Sequence, residues 1–195
     1  MNTRKDSSSR SDGSDRQSAE TQPPGTQAVE RLYGADAIRD RIGATGRHLL
    51  SLDADDPLVV SLLSGSVQFL IDLLRSIGND LRYEFIHVDS TEGEGDGIKE
   101  LHYPIPFQVQ GADILLLRDV TATGVIENYL VEQLEQQGAQ RVRTISLVNV
   151  PARRTTEFEA EYSLFTAPPE VQRLVGYGMK YRGRYGNLPY IGQLS

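Results

Sequence analysis

The sequence predicts an α/β fold, a parallel sheet flanked by helices on both faces. Three observations carry this. Four short apolar or β-branched runs recur along the chain, amphipathic stretches lie between them, and 195 residues suit one well-cored domain but are short for two. Strand and helix in alternation give parallel strands joined by helical crossovers. Ligands of such sheets gather at the carboxyl ends of the strands.

From Ala35 the apolar positions Ile38, Ile42, Leu49 and Leu50 fall on one helical stripe, with Arg39, Asp40, Arg41 and Arg47 elsewhere. An aspartate-rich turn leads to residues 58–63 (LVVSLL), a run bounded by Pro57 and Gly65 and expected to be a strand buried on both faces. Ser66 is placed to cap the next helix, whose expected buried side is Val67, Leu70, Ile71 and Leu74. Residues 82–88 (RYEFIHV) and 113–117 (DILLL) read as the second and third strands, separated by a Gly-rich acidic loop. A helix over 124–136 ends at Gly138, and residues 141–148 (RVRTISLV) form the fourth strand. Beyond Pro151 the pattern shortens into strands and turns, expected to cap that edge.

Residues 1–26 hold only Met1 and Ala19 from the hydrophobic set, six serines, and four basic against four acidic side chains. Such a segment cannot bury enough apolar surface to offset its chain entropy, so it is expected to be a disordered arm on a domain of residues 27–195. Cysteine is absent, which excludes a disulfide framework, a thiolate metal site and a cysteine nucleophile, and suits a reducing cytoplasm. Twenty basic against 27 acidic side chains, net −7, argue against a nucleic-acid partner bound by phosphate neutralisation. No apolar stretch approaches the roughly 20 residues of a membrane helix, and the N-terminus lacks the apolar core of a secretory signal. A cytoplasmic protein without a membrane partner is expected.

Chemistry concentrates in residues 115–130 (LLLRDVTATGVIENYL). A buried strand runs into Asp119, then a tight turn with Thr123 and Gly124, then a helix. Amides and helix dipole there form a cradle for one phosphate. Further on come LVNVP at 147–151 followed by Arg153 and Arg154, LVGYGMKY at 174–181 and YGNLPYIG at 185–192. With YGADAIRDRI at 33–42 and LLSGS at 62–66, these segments resemble the hypoxanthine/guanine phosphoribosyltransferases in order and spacing. The resemblance implies a phosphoribosyltransferase fold with a small C-terminal hood, assembled as dimers or tetramers. It also implies a magnesium-dependent transfer of phosphoribose from its pyrophosphate to a purine base.

At the positions that match the family's motifs, several residues depart from it. Asp119 matches the second of two carboxylates that hold the ribose, but Arg118 stands at the first, and a guanidinium accepts no hydrogen bond. Ala122 occupies the place of the aspartate that would take the purine proton, and a methyl group accepts none. Thr123, Gly124 and Val125 keep the phosphate turn, while Ile126 replaces a hydroxyl donor. Ser64 and Gly65 form the pyrophosphate loop without its lysine, and Gly186 replaces an arginine that meets the same group. Lys180 stands at a magnesium-binding aspartate. In the base pocket Val150 replaces a lysine, and Arg173, beside Leu174, replaces a stacking ring.

Outside these motifs, Asp89, Glu92, Glu94 and Asp96 read as solvated acids on a flexible loop rather than a metal site. Arg173, Lys180, Arg182 and Arg184, interleaved with Tyr177, Tyr181, Tyr185 and Tyr190, make a pattern that could stack on RNA, although the acidic balance favours packing tyrosines. His48, His87 and His102 are scattered, and Arg153 with Arg154 reads as interface or surface charge. The departures predict a non-catalytic homologue acting as a binding, regulatory or scaffold protein, homo-oligomeric, with residual phosphate or nucleotide binding at residues 119–126 and its arm tethering a protein partner. That reading expects no cofactor. Two alternatives stay open: an active hypoxanthine/guanine phosphoribosyltransferase of purine salvage with an unusual site, which would need magnesium, and an RNA-binding regulator.

Overall fold

The computed structural model describes residues 28–51, 56–63, 65–78, 80–87, 89–92, 98–102, 105 and 107–194. The expected disordered arm, Ser64, Glu94 and Asp96 lie outside the described residues. The chain runs β1 (Val29–Tyr33), α1 (Ala35–Ser51), β2 (Leu58–Leu62), α2 (Val67–Ile77), β3 (Arg82–Ile86), β4 (Asp89–Glu92), β5 (Ile98–His102) and β6 (Asp113–Thr121). It continues through α3 (Val125–Gln136), β7 (Arg141–Asn149), a 3-10 turn at Pro151–Arg153, β8 (Tyr162–Thr166), β9 (Leu174–Val175) and β10 (Ile191–Leu194). Five parallel strands form the main sheet in the order β3-β2-β6-β7-β8.

The period of two along the central strands decides what each face buries. Val59, Leu115 and Leu117 point into one cluster with Ile38, Ile42 and Leu49 of α1 and Phe69, Leu70 and Leu73 of α2. Leu58, Val60, Leu62, Ile114 and Leu116 point the other way, against Leu130 and Leu134 of α3. Helices therefore cover both faces, as the alternating pattern predicts. The expected buried side of α2 is corrected by this geometry. Phe69, Leu70, Leu73 and Ile77 are buried, whereas Val67 is exposed and Ile71 and Leu74 are half-buried. Ser66 is likewise no side-chain cap. Its hydroxyl donates back to the Leu62 carbonyl and meets the Ser61 hydroxyl at 2.9 Å, which satisfies two polar groups inside the core.

Three boundaries differ from the sequence reading. β6 extends four residues past the apolar run, because pairing with β7 continues through Val120–Val148 and Thr121–Asn149. Part of the expected acidic loop is a two-stranded antiparallel ribbon of β4 and β5. Residues after Pro151 do more than cap an edge, since β8 joins the parallel sheet as its fifth strand.

The hood is a separate antiparallel sheet, β1-β10-β9, joining the two ends of the domain. Tyr33 stacks on Phe165, with centroids 4.3 Å apart, and its hydroxyl donates to the Thr166 carbonyl at 2.8 Å. Tyr177, buried in the hood, donates its hydroxyl to Asp72 Oδ2 of α2 at 2.5 Å. Burial pushes the Tyr177 hydroxyl well above the usual tyrosine range, and the Asp72 carboxylate pushes it the same way. A folded-state value raised above the unfolded one holds its stability below about pH 10 and loses it as the pH rises further. Tyr177→Phe is therefore expected to flatten the decline in melting temperature above pH 10 relative to the parent, measured by alkaline thermal denaturation; an identical decline in both proteins would refute the assignment.

Candidate active site

Three loops at the carboxyl ends of β2, β6 and β7 converge on one side of the sheet. Within β6, alternation turns the stems of Arg118 and Asp119 to opposite faces, yet Arg118 Nη1 still lies 3.9 Å from Asp119 Oδ1. Arg118 turns towards α3, where its Nε donates to Glu127 Oε1 at 2.6 Å and its Nη2 to the Val120 carbonyl at 3.3 Å. Only 17% of the Arg118 side chain and 3% of that of Glu127 is exposed, so the charge at position 118 is neutralised within the domain. Asp119 faces the other way and packs against the loop after β2. A Cβ built on Gly65 would lie 1.9 Å from Asp119 Oδ2, so this contact admits only glycine. Asp119 Oδ1 accepts the Val120 amide at 2.9 Å, leaving Oδ2 directed at the loop.

A cavity of about 260 Å³ opens here, lined by Asp119, Gly65, Leu174, Gly178, Met179 and Lys180. A larger one of about 610 Å³ continues past Gly65 between α2 and the hood, lined by Gln68, Arg75, Lys180, Gly186 and Asn187 among others. Leu174, expected at the base pocket, lines the first cavity. Val150 does not: it is 3% exposed and belongs to the core under α1 and α2. Arg173 is exposed with its guanidinium 4.1 Å from the Tyr181 ring centroid, a plane already held on an aromatic face.

The turn at Thr123 and Gly124 forms between β6 and α3. Gly124 is the N-cap of α3 at φ 81°, a left-handed conformation that suits glycine, and the Val125 amide donates to the Thr123 hydroxyl at 3.4 Å. Ala122 is half-buried against the core, Val125 is exposed, and Ile126 packs on the cluster beneath α3. Sequence reasoning missed what braces this turn. The Thr155 amide and the Thr156 hydroxyl each donate to the Thr123 carbonyl at 3.1 Å. Arg154 is not surface charge either. Its Nη2 donates to Asn149 Oδ1 at 2.5 Å, while Nη1 is buried without a hydrogen-bond partner, 2.9 Å from where a Gly124 Cβ would stand. The sequence signal was available only as two arginines after a proline turn, which does not say which one faces inward.

Of the interleaved C-terminal tyrosines, Tyr177 and Tyr190 are buried, so they offer no stacking face to RNA. His48 sits edge-on to Tyr162 at 4.8 Å. No three histidine, cysteine, aspartate or glutamate side chains gather into a metal-binding group among the described residues. No helix among them is long and apolar enough to cross a membrane.

The family model for the phosphoribosyl transferase domain matches residues 33–182. A hypoxanthine-guanine phosphoribosyltransferase of Lactococcus lactis is 38% identical over 87% of this chain and 93% of its own length. The bifunctional protein TilS/HprT of Listeria monocytogenes is 36% identical over 84% of this chain, which spans only 26% of that relative. Among solved structures, a hypoxanthine phosphoribosyltransferase from Staphylococcus aureus superposes with a TM-score of 0.78 at 31% identity, covering 85% of this chain and 91% of that one. These likenesses overturn the expectation of a non-catalytic binding or scaffold protein. Relatives at this identity that the chain covers almost end to end carry the enzyme's name, and the fold around the site is like theirs.

Proposed function

Because the chain belongs to the phosphoribosyl transferase family, we propose that it is a cytoplasmic purine-salvage enzyme that transfers phosphoribose from phosphoribosyl pyrophosphate to hypoxanthine or guanine. The bond from C1′ to the pyrophosphate oxygen breaks, the bond from C1′ to the purine nitrogen forms, and pyrophosphate leaves. The observation that carries this reading is the pairing of Asp119, at the mouth of the 260 Å³ cavity, with the glycine-capped start of α3 one turn further on. A carboxylate accepts hydrogen bonds from ribose hydroxyls, and a helix N-terminus favours a phosphate. Asp119 holds the sugar. Ala122, Thr123, Gly124, Val125 and Ile126 hold the 5′-phosphate by their backbone, with the Thr123 hydroxyl beside them.

Leu174 flanks the base, and Gly65 borders the leaving group. With Ala122 at the turn, no side chain of that loop takes the purine proton, which passes to solvent. Among the described residues the donor set does not fit a protein-held divalent ion: Asp119 is the one carboxylate of these that lines the smaller cavity, and the Lys180 ammonium lines it too. The domain spans residues 27–195 behind a separate arm of residues 1–26, and its copies assemble as a homo-oligomer.

The reading is tested by incubating the protein with phosphoribosyl pyrophosphate, magnesium and each of hypoxanthine, guanine, xanthine and adenine, following nucleotide formation by absorbance and chromatography. Hypoxanthine and guanine are expected to turn over. Asp119→Ala is expected to lower kcat/KM roughly 10- to 100-fold, the effect of losing hydrogen bonds to a charged acceptor. No nucleotide from any of the four bases would sink the proposal.

A further inference from the structure

The geometry points to Lys180 as the side chain that neutralises the departing pyrophosphate, an inference that rests on the phosphoribosyl-transfer reading. Lys180 lines both cavities that flank Gly65, the smaller one shared with Asp119 and the larger one running between α2 and the hood. It therefore stands at the boundary between the space assigned to the sugar and the space beyond it, where a leaving group departs. Among the described residues its ammonium has neither a salt bridge nor a hydrogen bond. The other charges of the larger cavity are engaged. Arg75 is 4.0 Å from Asp72, and Asp72 also accepts the Tyr177 hydroxyl. Lys180 is thus the uncompensated charge of that cavity, and it is positive.

Two features hold the lysine in place. The backbone around it folds into two tight turns, one closed by reciprocal bonds between Gly176 and Met179 at 3.0 Å, the other by Tyr181 and Arg184 at 3.1 and 3.0 Å. A further bond, from the Gly178 amide to the Gly186 carbonyl at 2.9 Å, ties the turns together. The first turn is seated on the loop after β2, since a Cβ on Gly178 would lie 2.4 Å from the Gly65 carbonyl oxygen. The stem of Lys180 then crosses Gly186. A Cβ there would approach Lys180 Cγ to 2.7 Å and Cδ to 3.4 Å, so the bare glycine is what gives this stem its path. The missing side chain at 186 and the cation at 180 are one arrangement.

The chemistry needs no proton from the lysine. As the C1′–O bond breaks heterolytically, the electron pair leaves with the pyrophosphate oxygen, and the Lys180 ammonium stabilises the negative charge that accumulates there.

The test uses the full chain and inorganic pyrophosphate as the probe, titrated by calorimetry without magnesium at low salt, alongside steady-state kinetics. Lys180→Ala is expected to weaken pyrophosphate binding roughly 10- to 100-fold and to lower kcat by a similar factor, with the KM for hypoxanthine little changed. Lys180→Arg should restore most of the binding, and Gly186→Ala, which crowds the stem, should weaken it with Lys180 still present. Pyrophosphate affinity within twofold of the parent in a folded Lys180→Ala variant would overturn the inference while leaving the transfer reading intact if the parent turns over. A parent that binds pyrophosphate through Lys180 but forms no nucleotide would instead overturn the transfer reading and support the site.

Discussion

Ala122→Asp is expected to raise kcat/KM for hypoxanthine by about 10²- to 10⁴-fold, the usual contribution of a positioned general base. Position 122 opens the turn between β6 and α3, next to the residues proposed to hold the phosphate, and its methyl group is half-buried against the core. A carboxylate here would sit in partly apolar surroundings, which favour its uncharged form and bring its proton affinity nearer to the working pH. In the parent the purine must lose its proton to water, so the rate should climb with pH as the base itself ionises. In the variant the side chain takes over that role, and the profile should flatten. Steady-state rates from pH 6 to pH 10 for both proteins distinguish the cases. A variant no faster than the parent, with an unchanged profile, would mean that proton removal does not limit the reaction.

The second large effect concerns stability. Arg118→Ala leaves Glu127, whose side chain is 3% exposed, without the guanidinium 2.6 Å away. Removing one partner of a buried ion pair strands a charge that water cannot reach, at a cost of about 3–5 kcal/mol. Urea denaturation should show this as a lower midpoint at unchanged slope. Replacing both residues by leucine should recover most of the loss, because apolar side chains of similar volume need no counter-charge. A single-variant cost below about 1 kcal/mol would mean that the pair is effectively solvated. The experiment also bears on the site, because Arg118 Nη1 lies 3.9 Å from Asp119 Oδ1 as well: a double variant that keeps the parent's KM for phosphoribosyl pyrophosphate would mean that this second contact does not position Asp119.

Much of the architecture was legible because the central strands carry their own pattern. Leu58, Val59 and Val60 are apolar on both faces, which only a strand covered on both sides needs, and the Thr123–Gly124 turn follows such a strand directly. β1 was not legible. Its five residues (VERLY) include two charges, and it exists because it pairs with β10, at the far end of the chain. The rotation of α2 was hidden for a related reason: several stripes of its mostly apolar sequence are hydrophobic enough to be buried, and the choice among them falls to the neighbouring sheet and α1.

For the site, the motif positions gave only expectations, and the structure places Asp119 and Leu174 on one cavity but Val150 in the core. What each side chain does there is a matter of direction. The sequence alone determined an α/β domain whose phosphate turn follows a buried strand, since local periodicity and turn chemistry are properties of adjacent residues. Tertiary packing alone decided that Arg118 faces Glu127, that Arg154 braces Gly124, and that Lys180 crosses Gly186 into the cavity beside Asp119. Those pairings join residues brought together by strand alternation, turns and close glycine contacts, and the energy of a charge depends on the partner it meets across that distance.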